Sequence, residues 1–458
     1  MPAPPARAPG AAEPAAGTSV PLWRQLQAAA GVVRAVRAGE SATPALARVP
    51  ADLRPAAQSL SFHALRQLGR AEALRRRLAK RAPPAEADAL LCTALALCWH
   101  EADAPYEAFT LVDQAVEAAK HSPGTAAQSG FLNACLRRFL RERDALVAAT
   151  DADPVALWNH PRWWIERLQQ DHPQHWQAIL RANNGAAPMT LRVNPRRTRR
   201  EDLLQAWREA GMAAVPVGEH GLVLDRPRPV TDIPGFAEGL VSVQDAAAQL
   251  AAPLLLQGLA PAAGERLRLL DACAAPGGKT AHLLELADAE VTALELDPQR
   301  AARIDETLQR LGLSARIVAA DAAAVSQWWD GRPFDGILLD APCTASGIVR
   351  RHPDVRWLRR PGDVARLAAQ QQRLLEALWP LVRPGGQLLY CTCSVFREEG
   401  EQRIRTFVAH NKSALLRPAP GHLLPASGRG AEAVRDNPES DHDGFFYARL
   451  EKDPAAAD

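Results

Sequence analysis

Asp340-Ala341-Pro342-Cys343 and Tyr390-Cys391-Thr392-Cys393-Ser394 carry the most reactive side chains in this chain of 458 residues. A thiol is the most nucleophilic of the neutral side chains, a few per cent ionised near pH 7 even without help. Either cysteine alone reads more simply as a small buried hydrophobe. Two of them, each just beyond an apolar strand-like run (336–340 and 387–392) and one of them beside an acid, point instead to nucleophilic chemistry. In doubly wound sheets, ligands are held outside the carboxyl ends of the strands, where both runs end.

A third stretch supplies a cofactor site. The run 268–272 ends in Asp271-Ala272-Cys273-Ala274-Ala275-Pro276-Gly277-Gly278-Lys279-Thr280 and opens into a helix. Strand, glycine turn and helix N-terminus present backbone N–H groups to a nucleotide-like ligand, and glycine lets the chain approach it closely. Gly278-Lys279-Thr280 matches the end of a phosphate-binding P-loop, but that motif needs glycine at 273, where this chain has cysteine. The G-x-G-x-x-G of dinucleotide sites is absent. S-adenosylmethionine is the remaining reading. The run 291–295 ends in Glu295, about 18 residues beyond the turn, where an acid can accept both ribose hydroxyls. Asp297 is a rival, although its place before Pro298 suits a helix N-cap. Asp321, after a third strand, is positioned to accept from an adenine amino group.

The elements that must position these groups follow the chain. Residues 1–19, rich in Pro, Ala and Gly, read as a disordered tail. Residues 20–150 are helical, with apolar spacing of three and four at 22–36, 60–78, 87–99, 108–119 and 130–146. Arg137 and Arg138 lie on the outer face of the last of these, a solvated face or an RNA contact. Residues 151–240 form a small α+β module. Helical text bearing Trp158, Trp163, Trp164 and Trp176 precedes a strand at 189–195, a helix at 201–210 and strands at 215–217 and 222–224. Arg196, Arg197, Arg199 and Arg200 follow its first strand, able to bind phosphate or simply to cap a loop. In 241–452, strands at 268–272, 291–295, 315–318, 336–340, 387–392 and 445–450 alternate with helices at 279–286, 298–311, 363–381 and 398–409. That alternation predicts a doubly wound, mostly parallel sheet. Residues 453–458 read as a tail.

Composition sets the outer bounds. Hydrophobic content of 47% and charged content of 23% are those of a globular protein, and a net charge of +2 advertises no global affinity for nucleic acid. The basic residues are nearly all arginine, which suits phosphate forks but equally reflects genome composition. Seven scattered cysteines argue for a reducing, cytoplasmic setting, and none has metal-ligand spacing, so no metal is expected. No stretch approaches 18 uninterrupted apolar residues, so no membrane partner is expected either.

Asp-Ala-Cys-Ala-Ala-Pro-Gly-Gly-Lys-Thr, Asp-Ala-Pro-Cys and Thr-Cys-Ser are similar to the motifs of the Sun/Fmu RNA cytosine-5 methyltransferases. The run 340–360, with Ile348-Val349-Arg350-Arg351-His352-Pro353-Asp354, and the ending Asp443-Gly444-Phe445-Phe446-Tyr447 resemble more narrowly the members acting on small-subunit ribosomal RNA. The resemblance spans residues 20–450. It implies an all-α NusB-like RNA-binding domain, a small α+β RNA-binding linker module, and a C-terminal α/β Rossmann-like S-adenosylmethionine-dependent methyltransferase domain. The implied activity is of the 16S rRNA (cytosine-967-C5) type; separately from the resemblance, the chain is expected to act as a monomer. Carried over residue by residue, it makes Cys393 the nucleophile, assigns Cys343 to product release, and places cofactor contacts at Cys273, Ala274, Ala275, Pro276, Gly277, Gly278, Lys279, Glu295, Asp321 and Asp340. Asp340 is also the group expected to hold a proton near ring N3 of the base. RNA contacts are expected at Arg137, Arg138, Arg196, Arg197, Arg199, Arg200, Arg350 and Arg351. Close relatives often have Asp where this chain has Glu295, and Cys391 matches no motif role. The competing classes are an RNA-binding assembly or antitermination factor with an inert catalytic domain, the same chemistry on another RNA, and a P-loop ATPase.

Overall fold

The computed structural model describes residues 20–261, 264–425 and 441–455. The expected tail at 1–19 and the last three residues of the one at 453–458 lie outside the described residues. The chain divides into two compact units, at Thr150 and Asp151.

The first unit is all helix: α1 (Leu22–Arg37), α2 (Ala42–Ala47), α3 (Arg54–Arg66), α4 (Leu68–Leu78), α5 (Ala85–Cys98), α6 (Ala108–Lys120) and α7 (Ser129–Ala148). Every residue of α5 from Ala87 to Cys98 is buried, which makes it the central helix of the unit. Asp88, the one acid in that run, is neutralised by Arg37 at 2.7 Å and Arg75 at 3.0 Å. The single helix expected at 60–78 is two helices, because Gln67 leaves helical geometry at φ −110° and ψ 10°. On α7 the residues Leu132, Cys135, Leu136 and Phe139 are buried, while Arg137 and Arg138 are exposed.

The second unit begins with three short helices, α8 (Pro154–Trp158), α9 (Arg162–Asp171) and α10 (Trp176–Asn184). Asp153 caps α8 by accepting the Val155 N–H at 3.0 Å, with Pro154 in the first turn. Trp164, Ile165, Leu168, Ile179 and Leu180 share one core with Val349, Val364, Val395 and Phe396. Each buried aliphatic there contributes about 1.5–3 kcal/mol. The tryptophan-rich helices thus brace the segments that follow Cys343 and Cys393.

A four-stranded antiparallel sheet comes next, from β1 (Thr190–Val193), β2 (Ala214–Val217), β3 (Gly221–Leu224) and β4 (Val241–Val243), with α11 (Arg200–Glu209) after β1. The strand order is β2-β3-β1-β4, so its fourth strand lies one element beyond the boundary expected at residue 240. Leu191, Val193, Leu222, Leu224 and Val241 pack on Leu203 and Trp207 of α11. Side chains alternate along a strand, which turns Arg192 and its paired neighbour Ser242 to the other face.

The larger sheet holds β5 (Leu267–Asp271), β6 (Ala289–Glu295), β7 (Arg316–Ala319), β8 (Phe334–Asp340), β9 (Val382–Thr392), β10 (Ala414–Leu423) and β11 (Phe445–Lys452). Its order is β10-β11-β9-β8-β5-β6-β7, parallel except for the pairings made by β11. α12 (Ala251–Leu256), α13 (Gly278–Leu286) and α14 (Pro298–Leu311) cover one face. α16 (Pro361–Leu378), reached through the short α15 (Val355–Leu358), and α17 (Glu401–His410) cover the other. Glu398, expected within the last helix, lies in a 3-10 turn before it. β10 escapes sequence reading because it carries Pro418 and Pro420, which a strand accommodates only at an edge, a first residue or a bulge; β10 is an edge strand with a register shift between Arg417 and Gly421. From β5 the chain steps outward to β6 and β7 and then crosses back to β8 on the other side of β5, and the crevice at that reversal, beyond the carboxyl ends, is where such sheets bind ligands. Among the described residues no helix is long and apolar enough to cross a membrane, and no group of three or more His, Cys, Asp or Glu could hold a metal.

Candidate active site

The loop after β5 has the features of a cofactor cradle. Asp271 is fully buried; Thr280 donates to its Oδ2 at 2.7 Å, and its Oδ1 has no hydrogen-bond partner. Burial raises this carboxyl to about 7, opposed in part by the Thr280 bond. Gly277 sits at φ +96°, and a Cβ there would lie 3.1 Å from the Ile304 Cα, so the turn can press onto α14 only as glycine. α13 starts at Gly278, leaving its first N–H groups unused within the helix.

Two acids complete the cradle. Glu295 ends β6, is buried, and accepts the Asp297 N–H at 3.2 Å and the Arg300 guanidinium at 3.3 Å. Asp297 caps α14 through the Gln299 N–H at 2.8 Å and the Arg300 N–H at 3.4 Å, so its carboxylate is engaged at the helix start. Asp321 accepts both Arg373 nitrogens at 3.0 Å and the Ala323 N–H at 2.9 Å. Partial burial pushes its carboxyl up, but Arg373 and the Ala323 N–H outweigh that and hold it below the usual range. An orphaned buried oxygen, a glycine-only turn and two acids at successive strand ends fit an S-adenosyl cofactor with a charged amino acid end and a ribose.

The thiols stand at the next two strand ends. β8 and β9 are parallel neighbours with Asp340 opposite Cys391. The segments that leave them therefore run side by side, and Cys343 Sγ lies 3.4 Å from Cys393 Sγ. The hydrogen bond with Cys393 and burial hold the Cys343 thiol well above its ordinary range. Lys279 Nζ donates to Asp340 Oδ2 at 2.7 Å and rests over the Phe445 ring. Burial opposes the charge on Lys279, yet Asp340 more than offsets it, so the ammonium is held above the usual lysine range. Cys391 packs in the core on the α12–α14 face, 3.5 Å from Asp340 Oδ1, and burial drives its thiol well up.

Several expected RNA contacts have other employment. Arg350 is fully buried and donates to Asp441 and Asp443. Arg351 donates to Asp443, to Asp245 at 2.8 Å and to the Pro188 carbonyl at 3.0 Å. Arg350 has no surface to offer RNA. The pair instead staples the Asp443-Gly444 turn over the segment after Cys343, where Gly444 N–H donates to Gly347 O at 2.8 Å and Gly347 N–H to Cys393 O at 2.9 Å. Arg196 donates to the carbonyls of Glu285 and Ala287 at the end of α13, and Arg197 to that of Leu311 at the end of α14. Both satisfy orphan carbonyls at the negative ends of helix dipoles. Arg200 donates to Gly218 O at 2.7 Å, and Arg199 stands in solvent 4.0 Å from Asp202.

Two structural residues escaped the sequence reading. Arg192 is fully buried, forks onto Glu285 at 2.8 and 2.9 Å, and donates to the Gly278 carbonyl at 2.9 Å and to Gln244, tying the small sheet to the cradle. An arginine between Leu191 and Val193 in a strand was the available signal. Glu399 had none: it is one of several acids in 397–401, yet it alone is fully buried.

Comparison with known proteins identifies the family. The family described as 16S rRNA methyltransferase RsmB/F matches residues 256–451, its ferredoxin-like domain 160–231, and the NusB family 28–141. Ribosomal RNA small subunit methyltransferase B of Vibrio cholerae is 39% identical over 437 residues, covering 93% of this chain and 96% of that one. The protein of the same name from Pseudomonas syringae pv. tomato is 46% identical over 332 residues, 70% of this chain and 72% of that one. Among solved structures, PH0851 aligns over 93% of this chain and 99% of that one with TM-score 0.72 at 24% identity, a likeness of fold. A methyltransferase homologue from Pyrococcus horikoshii aligns over 66% of this chain and 98% of that one with TM-score 0.54 at 28% identity. With a NusB domain, a ferredoxin-like linker and this catalytic sheet, the chain belongs to the 16S rRNA methyltransferase RsmB/F family of S-adenosylmethionine-dependent RNA methyltransferases.

Proposed function

We propose that this enzyme methylates C5 of a cytosine in 16S rRNA through a covalent bond between Cys393 and C6 of the base. The observation that carries the reading is the pair of thiols 3.4 Å apart at adjacent strand ends, beside the Lys279–Asp340 ion pair.

Cytosine C5 is too weak a nucleophile to take a methyl group unaided. Addition of the Cys393 thiolate at C6, with a proton held at N3, turns the ring into an enamine whose C5 carbon attacks. Because Asp340 is ion-paired with Lys279, we assign that proton to the pair rather than to an isolated carboxyl. S-adenosylmethionine supplies the electrophilic methyl group, and residues 273–279, Glu295 and Asp321 would hold it. A base then removes the C5 proton and the Cys393 sulfur leaves. Cys343, whose thiol is held well above its ordinary range by its contact with Cys393 and by burial, is assigned to that release. The target base must leave its stack, which looped or single-stranded RNA makes inexpensive. Arg137, Arg138 and Arg199, all exposed, are the proposed phosphate contacts.

Bisulfite sequencing of 16S rRNA from cells with and without the gene tests the reading. One cytosine should lose its protection when the gene is absent; an unchanged pattern would sink it.

The cofactor assignments have their own test. Glu295→Ala and Asp321→Ala should each weaken S-adenosylmethionine binding by about 1–3 kcal/mol, the worth of a lost ligand hydrogen bond. Calorimetric titration should show this with RNA affinity nearly intact. Unchanged cofactor affinity in both variants would remove the ribose and adenine assignments.

A further inference from the structure

Glu399 is fully buried, and it stands where the two thiol-bearing segments meet. Its Oε1 accepts the Thr344 N–H at 2.8 Å and the Gln371 amide at 3.3 Å. Its Oε2 accepts the Thr344 hydroxyl at 2.5 Å and the Ser394 hydroxyl at 2.6 Å. Thr344 directly follows Cys343, and Ser394 directly follows Cys393. The backbone carbonyl of Glu399 in turn accepts the Tyr390 hydroxyl at 2.7 Å. Among the described residues this carboxylate is in no ion pair, and the hydrogen bonds it accepts come from neutral donors on the two segments and on α16. A buried carboxylate costs free energy unless its acceptor sites are filled, so this one is retained for what it arranges.

An acceptor-only group also dictates where neighbouring protons go. Ser394 has one hydroxyl proton and gives it to Glu399, so the 2.8 Å contact between Ser346 and Ser394 must run from Ser346 to Ser394. Ser346 Oγ then accepts the Val395 N–H at 2.9 Å, and Ser394 Oγ the Phe396 N–H at 3.1 Å. One carboxylate thus orients a chain of bonds that alternates between the segment after Cys343 and the segment after Cys393. Outside it, Gln371 holds the Pro342 carbonyl at 2.9 Å, and Arg359 holds those of Thr344 and Cys343 at 3.0 and 3.3 Å.

We propose that Glu399 is the positioning residue that sets the relative placement of the Cys343 and Cys393 sulfurs. It touches neither sulfur and acts through Thr344 and Ser394. The inference rests on the two-thiol reading of the site. Removing the carboxylate leaves Thr344 N–H and two hydroxyls without their common acceptor and lets the segments drift apart.

The test uses the full chain and three variants. Glu399→Ala should lower kcat about 100-fold, the cost of roughly 1 Å of misplacement, with KM for S-adenosylmethionine nearly unchanged. Glu399→Gln keeps one accepting oxygen and should retain more activity than Glu399→Ala. A second readout involves no methyl transfer: diamide takes two electrons and two protons from the thiol pair, and peptide mapping follows the Cys343–Cys393 disulfide. That disulfide should form at least 10-fold more slowly in Glu399→Ala. An unchanged disulfide rate, or a kcat loss matched by an equal loss of cofactor affinity, overturns the proposal. Cys393→Ala separates the two readings. If it still turns over, the covalent mechanism fails and the disulfide rate alone decides Glu399; if it is inactive while Glu399→Ala is fully active, only the positioning role fails.

Discussion

Replacing Cys393 with serine should abolish methyl transfer, a fall on the order of 10⁴-fold or more, since a serine hydroxyl is scarcely ionised near neutral pH. The variant should form no covalent adduct with RNA. Cys343→Ser should behave differently. It retains the attacking thiol, so it should add to the base and methylate it, then stall with RNA attached. A protein–RNA band that survives denaturant should therefore appear for Cys343→Ser in the presence of S-adenosylmethionine, and be absent for Cys393→Ser. The 3.4 Å separation of the sulfurs makes either order sterically reachable, which gives the gel its force. A stable adduct on Cys393→Ser with none on Cys343→Ser would exchange the two roles.

The largest effect on stability should come from Arg192, in the small sheet. Arg192→Met leaves Glu285 as an unpaired charge in a site where both side chains are fully buried. Breaking such a pair from one side costs about 3–5 kcal/mol. It also strips a donor from the Gly278 carbonyl at the first turn of α13, so cofactor affinity should fall together with the denaturation midpoint. The double variant Arg192→Met with Glu285→Met replaces the pair by apolar groups and should recover most of the stability. It should not recover the cofactor affinity, because Gly278 remains without its donor. Urea denaturation and calorimetric titration of the three proteins check both statements. A single variant as stable as the parent would mean that the pair does not join the small sheet to the catalytic domain.

Local chemistry made much of this protein readable in one dimension. The glycine turn at 277–278, the cap at Asp297 and the apolar periods of α13, α14 and α16 are set by residues within a few positions of one another, so the succession of elements along the chain, though not their places in the sheet, follows from spacing. The edge strand β10 is an exception, because its prolines are tolerated only once β11 pairs with one side of it. The arginines mark the limit more sharply. In sequence, Arg196 and Arg197 look like Arg199, and Arg350 like any basic residue near a catalytic loop. Their partners decide what they do, and those partners are distant: Glu285 lies 93 residues from Arg192, Asp443 lies 93 from Arg350, and Glu399 lies 55 from Thr344. A guanidinium binds phosphate in water and a helix terminus or a carboxylate when folded against one. Which of these it meets depends on strand order, and strand order is settled by packing of the whole sheet rather than by neighbours in the chain.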